Sequence, residues 1–304
     1  GDIAAEVRLS VQMARLLNRQ SRVKETIVCY RRVIRLARQI GDSYNEARAC
    51  TNLGYLYIEQ ESWYRAEVLC CHALNLFEQL DNNHGRAHTE NHLGYLYILQ
   101  GLWDEAQIHL QKACAIWQAT DDDFGLMLGF ANLAILHIDR KYFDEAIACS
   151  KKALIHAKAI GEELRVGTFE MNIGLAYRFK GELDKAEEYS RRAEVVFLQN
   201  SYLHGLADVQ ENLGMIYLDQ QSWKESGMYL NNALEMWRSL GNKNGEIQTT
   251  ICLIEYELLR KKPQQARFWL NEVDDLLESH GRSGQYQQWR QQVDEFRRRV
   301  EEHM

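Results

Sequence analysis

Residues 53–57 read Leu53-Gly54-Tyr55-Leu56-Tyr57, and forty positions later residues 93–97 read Leu93-Gly94-Tyr95-Leu96-Tyr97. The phase holds from there without slipping, through Leu133-Ala134, Ile173-Gly174, Leu213-Gly214 and Leu253-Ile254, back to Met13-Ala14 and on to Val293. The second half of each unit repeats as well. Trp63, Trp103, Phe143, Leu183, Trp223 and Pro263 are each followed three residues later by Ala66, Ala106, Ala146, Ala186, Ser226 and Ala266, with a further small residue at Ala73, Ala113, Ala153, Ala193 and Ala233. A fixed period kept over the whole length is the signature of a repeat architecture, in which one unit cannot bury its apolar face alone and neighbours stack to do so.

Within a unit the apolar residues recur at helical spacing, as Leu53, Leu56, Tyr57 and Ile58 do, and the second half carries Ala66, Leu69 and Ala73 on one face. Each unit therefore predicts two helices joined by a short turn, such as Gln60-Glu61-Ser62. Asp42, Asn82, Asp122 and Asn242 stand where the next first helix begins, placed to accept from its free N–H groups. Pro263, the one proline of the chain, opens a second helix, where its missing N–H costs nothing. Glycine inside a helix costs about 1 kcal/mol relative to alanine. Its recurrence at Gly54, Gly94, Gly174 and Gly214 thus predicts close approach of another helix, with Ala66 and its equivalents as the facing surface. Trp63, Trp103 and Trp223 read as anchors packed on the turns.

The expected fold is all-α: a right-handed α-solenoid, or superhelix, of seven helix pairs (3–40, 43–80, 83–120, 123–160, 163–200, 203–240 and 243–280) in one domain spanning 1–304. A capping helix over 285–303 carries Trp289, Val293, Phe296 and Val300 on one stripe and charge elsewhere.

Composition narrows the function. Of 304 residues 46% are hydrophobic and 26% charged, which is globular. No apolar run approaches the roughly 18 residues of a membrane span, and no leader segment is visible. The chain opens on Gly1-Asp2, not Met, and so reads as a piece of a longer protein. Seven cysteines without a Cys-x-x-Cys pair, scattered in apolar patterns, read as buried thiols of a cytoplasmic protein. A net charge of −7 argues against nucleic acid as partner, since phosphate binding needs a basic face. The charge is uneven, with nine Lys/Arg against five Asp/Glu in residues 1–46 and 19 against 30 in residues 47–260.

The pattern Leu-Gly-x-x-Tyr followed by spaced alanines resembles the tetratricopeptide repeat, here with a 40-residue unit. Asn-Leu-Gly-x-x-Tyr with junctions such as Ile40-Gly41-Asp42, Ile160-Gly161-Glu162 and Leu240-Gly241-Asn242 is similar to a narrower subgroup. That subgroup includes kinesin light chains, Pins-type spindle adaptors and the sensor regions of signal-transduction ATPases such as the maltose-regulon activator.

The resemblance implies that an extended peptide binds a concave groove made by the first helices, with an Asn before each Leu-Gly pair contacting ligand backbone. Those positions here are Asn52, His92, Asn132, Asn172, Asn212 and Cys252, with His92 and Cys252 departing from the pattern. A primary amide donates to a peptide C=O and accepts from its N–H, so such a ladder reads backbone without demanding a sequence. The flanking groove positions run from Arg8, Arg15 and Arg48 with Tyr55, through His88 and Tyr95 and then Leu128 and Ile135, to Asp208 and Glu255, joined by Glu211 and Asp219. That gradient, basic through apolar to acidic, would set a ligand's register.

His84, His88 and His92 share one helical face, where two imidazoles can chelate Zn²⁺ or Ni²⁺ given a third ligand, but the order is not His-Glu-x-x-His, and they are taken as polar groove residues with no metal expected. The Asp121-Asp122-Asp123 run lacks calcium-loop spacing and reads as a helix N-terminus. Phosphate-loop, dinucleotide-loop and nucleophile-elbow motifs are absent, so neither an enzyme nor a cofactor is expected. Two functions remain: a scaffold that captures a protein or peptide segment, and an effector-sensing, assembly-controlling region of a larger ATPase or transcription regulator whose other domains would be its partners.

Overall fold

A computed structural model describes residues 2–280 and 284–302, which form fifteen helices and no strand. They come as seven pairs: α1 (Ile3–Arg19) with α2 (Val23–Ile40), α3 (Ser43–Glu59) with α4 (Trp63–Gln79), α5 (Asn83–Leu99) with α6 (Trp103–Ala119), α7 (Asp123–Asp139) with α8 (Phe143–Ala159), α9 (Glu163–Lys180) with α10 (Leu183–Gln199), α11 (Leu203–Asp219) with α12 (Trp223–Leu240), and α13 (Lys243–Leu259) with α14 (Pro263–His280). A fifteenth helix, α15 (Gly284–Glu302), closes the series. The chain divides into two compact units, Gly1–Ile160 and Gly161–Met304.

Helices α1 to α13 all end on the same device. Thirteen residues at twenty-residue intervals, from Ser21 to Lys261, have φ between 49° and 82°. Five are glycines (Gly41, Gly101, Gly161, Gly181 and Gly241) and eight carry side chains. A left-handed residue there lets the next N–H reach back to a carbonyl of the last turn, as Asp42 N does to Ala37 O at 2.9 Å and Ser62 N to Tyr57 O at 2.8 Å. The chain reverses, and the next helix starts two residues later. Asp42, Asn82, Asp122 and Asn242 cap the following helices, accepting from the N–H of Asn45, Gly85, Gly125 and Gly245.

Inside a pair, the first helix lies close on the second. A Cβ at Gly54 would stand 2.6 Å from Cys70 Sγ and 3.4 Å from Ala66 O, and at Gly94 2.5 Å from Leu110 Cγ and 3.3 Å from Ala106 O. The helical glycines thus face the backbone of the small residue and the side chain four positions beyond it.

Between pairs a second constraint operates that the repeat motif does not display. Phe77, Trp117, Phe197 and Trp237 are buried and lie against Gly85, Gly125, Gly205 and Gly245 of the next helix. A Cβ at Gly125 would come within 2.3 Å of the Trp117 ring, and at Gly245 within 2.3 Å of the Trp237 ring. Where the chain has Ala37 and Ala157 in place of the aromatic, it has Asn45 and Arg165 in place of the glycine. The tryptophans that fill the space between pairs are therefore Trp117 and Trp237, at 0% and 3% exposure. Trp63 and Trp103, expected as turn anchors, stand 38% and 41% exposed at the first residue of their helices, and Trp223 is half-buried.

First helices of neighbouring pairs touch one another within each unit (α3 with α5 and α5 with α7; α9 with α11 and α11 with α13). The second helices pack instead between their own partner and the next first helix. The first helices therefore form the inner wall of each unit. In the second unit α15 packs on α13 and α14, adding Trp289, Val293, Phe296 and Val300 to a core with Ile254, Leu270 and Val273, while Arg290 and Arg297 pair with Asp274 at 2.6 and 2.5 Å.

A steric lock of this kind predicts a coupling energy. Gly125→Ala should destabilise the protein by about 2 kcal/mol or more in urea unfolding, since close-packed interiors have no room for the added methyl. Combined with Trp117→Leu, which makes space, the loss should be smaller than the sum of the two single losses by at least about 1 kcal/mol. Strictly additive losses would show that the two residues do not press on each other.

Candidate functional site

The inner wall of the first unit is built by α3, α5 and α7, whose faces turn toward one another every fourth residue. Arg8 and Arg15 lie exposed on α1, and Arg48 is half-buried with its guanidinium 5.9 Å from the Tyr44 ring. Arg15 and Arg48 both favour ionisation of the Tyr30 phenol, whose pKa burial nevertheless raises, so the two arginines flank one tyrosine. Tyr55 stands 39% exposed, its ring 5.0 Å from His92 and tilted to it. Tyr95 is half-buried, and burial, with Glu59 nearby, raises its pKa.

The amide ladder is placed unevenly. Asn52 is half-buried on α3. Asn132 donates from Nδ2 to Asn91 Oδ1 at 2.9 Å, joining α7 to α5, so one of its N–H groups serves the wall itself. Thr51 and Thr89 share a hydroxyl contact of 2.8 Å in the same layer. His92 has a buried Nδ1 with no hydrogen-bond partner among the described residues, and burial, with His88 nearby, lowers its pKa to about 4. It is a neutral ring at physiological pH, unlike an amide in having no carbonyl acceptor to offer. His88 packs edge-on against Trp117, ring centroids 5.3 Å apart.

In the second unit α9, α11 and α13, with Gln292 of α15, enclose a cleft of about 510 Å³. Met171, Leu175, Met215 and Ile251 give it apolar walls. Into it converge three of the acids expected in the groove, Asp208, Glu211 and Glu255, together with Asn212, Gln248 and Arg178. Asn172 is half-buried on α9, outside the cleft lining. Asn212 donates to Ser190 Oγ at 3.2 Å, and its buried Oδ1 has no partner among the described residues. Gln248 accepts from Trp289 Nε1 at 3.0 Å.

The acids are held where water is scarce. Burial pushes the Glu211 carboxyl up to about 7; the Thr249 hydroxyl that donates to it works against this, Asp208 adds to it and Arg178 offsets part. Burial raises Asp208 to about 6, with His204 opposing, and raises Glu255, with Arg178 opposing. Arg178 is itself committed, its Nε 2.6 Å from Asp219 Oδ2. Three carboxyls whose ionisation burial disfavours share this one cleft with Arg178.

Arg178 is the residue that motif reading passes over, although the sequence holds a signal for it. The equivalent positions of the neighbouring repeats are Ile58, Ile98, Ile138, Leu218 and Leu258, so between residues 58 and 258 Arg178 is the single charge in an apolar column. Asn91, which holds Asn132, shows no comparable signal, since its column reads Thr51, Asn91, Ala131, Met171, Glu211 and Ile251.

A layered array of paired helices, with a recessed polar cleft on the first-helix wall, defines a helical-repeat protein. Family models described as tetratricopeptide repeat match residues 47–119 and 171–194, and the chain carries tetratricopeptide repeats. No curated protein matches the sequence. Solved structures share the fold at low identity. The signal transduction ATPase PH0952 from Pyrococcus horikoshii, which has a tetratricopeptide repeat sensor, superposes with a TM-score of 0.67 at 15% identity over 87% of this chain. This chain spans 41% of that protein's length. A Rap protein complexed with Competence and Sporulation Factor gives 0.62 at 11% identity, with 99% of each chain covered. A putative kinesin light chain of Podospora anserina gives 0.55 at 16% identity, covering 66% of this chain and 99% of the other.

The raised acids make stability depend on pH. An acid whose pKa folding raises opposes the fold when ionised, so stability falls as pH climbs from its unfolded value near 4.5 through about 7. Glu211→Gln should therefore raise the melting temperature at pH 8, by a free energy on the order of 1–3 kcal/mol, and change it little at pH 4.5. An equal effect at both pH values would mean that Glu211 titrates like an exposed carboxylate.

Proposed function

We propose that this protein is a non-catalytic scaffold that captures an extended segment of a partner protein along its first-helix walls, a Lys or Arg side chain of that segment entering the cleft of the second unit. The observation that carries the reading is the convergence of Asp208, Glu211 and Glu255 on one recessed cleft with apolar walls. A cation entering there replaces the lost hydration of the carboxylates. It forms charge-assisted hydrogen bonds in a setting where they are stronger than at an open surface. The methylenes of its side chain lie against Met171, Leu175 and Met215.

Asn212, with a carbonyl oxygen lacking a partner, and the amides of Asn52, Asn132 and Asn172 supply backbone contacts. Arg15, Arg48, Tyr55 and Tyr95 of the first unit favour acidic and aromatic side chains elsewhere on the ligand. The Rap neighbour complexed with Competence and Sporulation Factor supports the reading, because a protein of this fold there carries a bound partner. A cytoplasmic setting fits the buried thiols Cys50, Cys70 and Cys114, which burial pushes up to about 12 and leaves unreactive.

The signal transduction ATPase with its tetratricopeptide repeat sensor favours a second reading, in which this chain is the sensor of a larger regulator and the cleft takes a small cationic effector. One set of titrations separates the two. Fluorescently labelled peptides carrying a central Lys, Arg or norleucine are titrated at pH 8 against the wild type and Glu211→Gln. The scaffold reading expects the basic peptides to bind at least about tenfold tighter than the norleucine peptide, the difference to vanish in the variant, and binding to weaken at pH 5.5 as the acids protonate. Tight binding of free spermidine with no preference among peptides would favour the sensor. Equal binding of all peptides to both proteins, with no response to spermidine, would contradict both.

A further inference from the structure

The first unit holds a cluster that the peptide reading does not use. His84 and His88 are one turn apart on α5, and Asp122 precedes α7 in the next repeat. The ligand atoms of the three all lie within 4.8 Å of one another, and His84 Nδ1 is 3.7 Å from Asp122 Oδ2. Two imidazoles need a third ligand to hold an ion, and the stacking of one repeat on the next supplies Asp122. We propose that His84, His88 and Asp122 form a binding site for a divalent transition-metal ion, Zn²⁺ in the first instance.

Several features favour this assignment. Imidazoles at i and i+4 project from one face of a helix, a spacing that lets both reach a single ion. Two imidazoles and a carboxylate are a donor set suited to Zn²⁺, and three protein ligands leave a fourth position for water or for a group on a bound partner. Ligands about 2.1 Å from a tetrahedral ion stand roughly 3.4 Å apart. His84 and Asp122 are already near that separation, and the His84 side chain is exposed and can turn to adjust it.

The carboxylate is also oriented. Asp122 Oδ1 accepts from the N–H of Gly125 at 2.9 Å as the cap of α7, so Oδ2 is the oxygen turned toward the histidines. His88 is steadied by its edge-on contact with Trp117, the ring locked beneath Gly125. An ion there would fasten the start of α5 to the start of α7 on the wall that carries Tyr55, His92 and Tyr95.

The test uses the full chain freed of metal with chelator and titrated with Zn²⁺ by calorimetry, and with Co²⁺ by visible absorption, against three variants: His84→Ala, His88→Ala and Asp122→Asn. The last is the decisive one. Asn82 and Asn242 cap their helices as Asp122 does, so Asp122→Asn keeps the cap and removes only the carboxylate. The proposal expects one ion per chain in the wild type, a Co²⁺ spectrum of tetrahedral type, and dissociation constants raised at least about tenfold in each variant, with the melting temperature of Asp122→Asn in chelator unchanged. Unaltered affinity in Asp122→Asn would overturn it, as would a wild type that takes up neither ion at 100-micromolar order concentrations, about the weakest binding the assignment tolerates. Loss in His88→Ala accompanied by unfolding is resolved by His84→Ala, whose exposed ring meets the His88 ring edge-on, 4.6 Å between centroids: retained binding there overturns the proposal, and lost binding supports it.

Discussion

The structure depends on an aromatic ring pressed against a residue with no side chain. Phe77, Trp117, Phe197 and Trp237 each occupy the space that a Cβ at Gly85, Gly125, Gly205 or Gly245 would need, and this contact joins one helix pair to the next. The indole nitrogens of Trp117 and Trp237 are buried with no partner among the described residues, an unfavourable feature that the packing must outweigh. Contacts within a pair form a hairpin of helices; contacts between pairs make hairpins into a wall. Since each repeat touches only its neighbours, the spacing of these contacts sets the spacing of everything displayed on the wall.

That spacing explains how the two candidate sites arise. A column of equivalent positions presents one residue per repeat at regular intervals, so a site is assembled by varying the column and leaving the scaffold unchanged. The column Arg8, Arg48, His88, Leu128, Thr168, Asp208, Gln248 changes from cation to imidazole to apolar to acid. The acid cleft and the histidine cluster are two local results of that variation, each drawing on adjacent repeats. A charge in a core column, as at Arg178, brings the cation that partly balances the acids beside it.

Much of this was legible in the sequence because the repeat supplies its own control. Helix pairs, turns and the caps Asp42, Asn82, Asp122 and Asn242 follow from local rules seen several times over. The three acids Asp208, Glu211 and Glu255 could be placed on one wall because the family resemblance says that the first helices form it and the phase gives the positions. What phase could not give is depth and partner. Asn132 belongs to the same column as Asn52 and Asn172, yet spends an N–H on Asn91, because the residue opposite differs from repeat to repeat. Trp63 and Trp103 look like anchors by size, but they stand at the first residue of their helices and stay far more exposed than Trp117 and Trp237. The third ligand of the histidine cluster lies in another repeat, where only stacking reveals it.

The account stands most directly on the ionisation of the second unit's cleft, which ¹³C NMR of the side-chain carboxyls can follow residue by residue across pH. It predicts that Glu211 titrates near 7 and Asp208 near 6, and that a bound basic peptide draws both down toward the ordinary carboxylate range. Titration of both near 4 in the free protein, unmoved by the peptide, would contradict it.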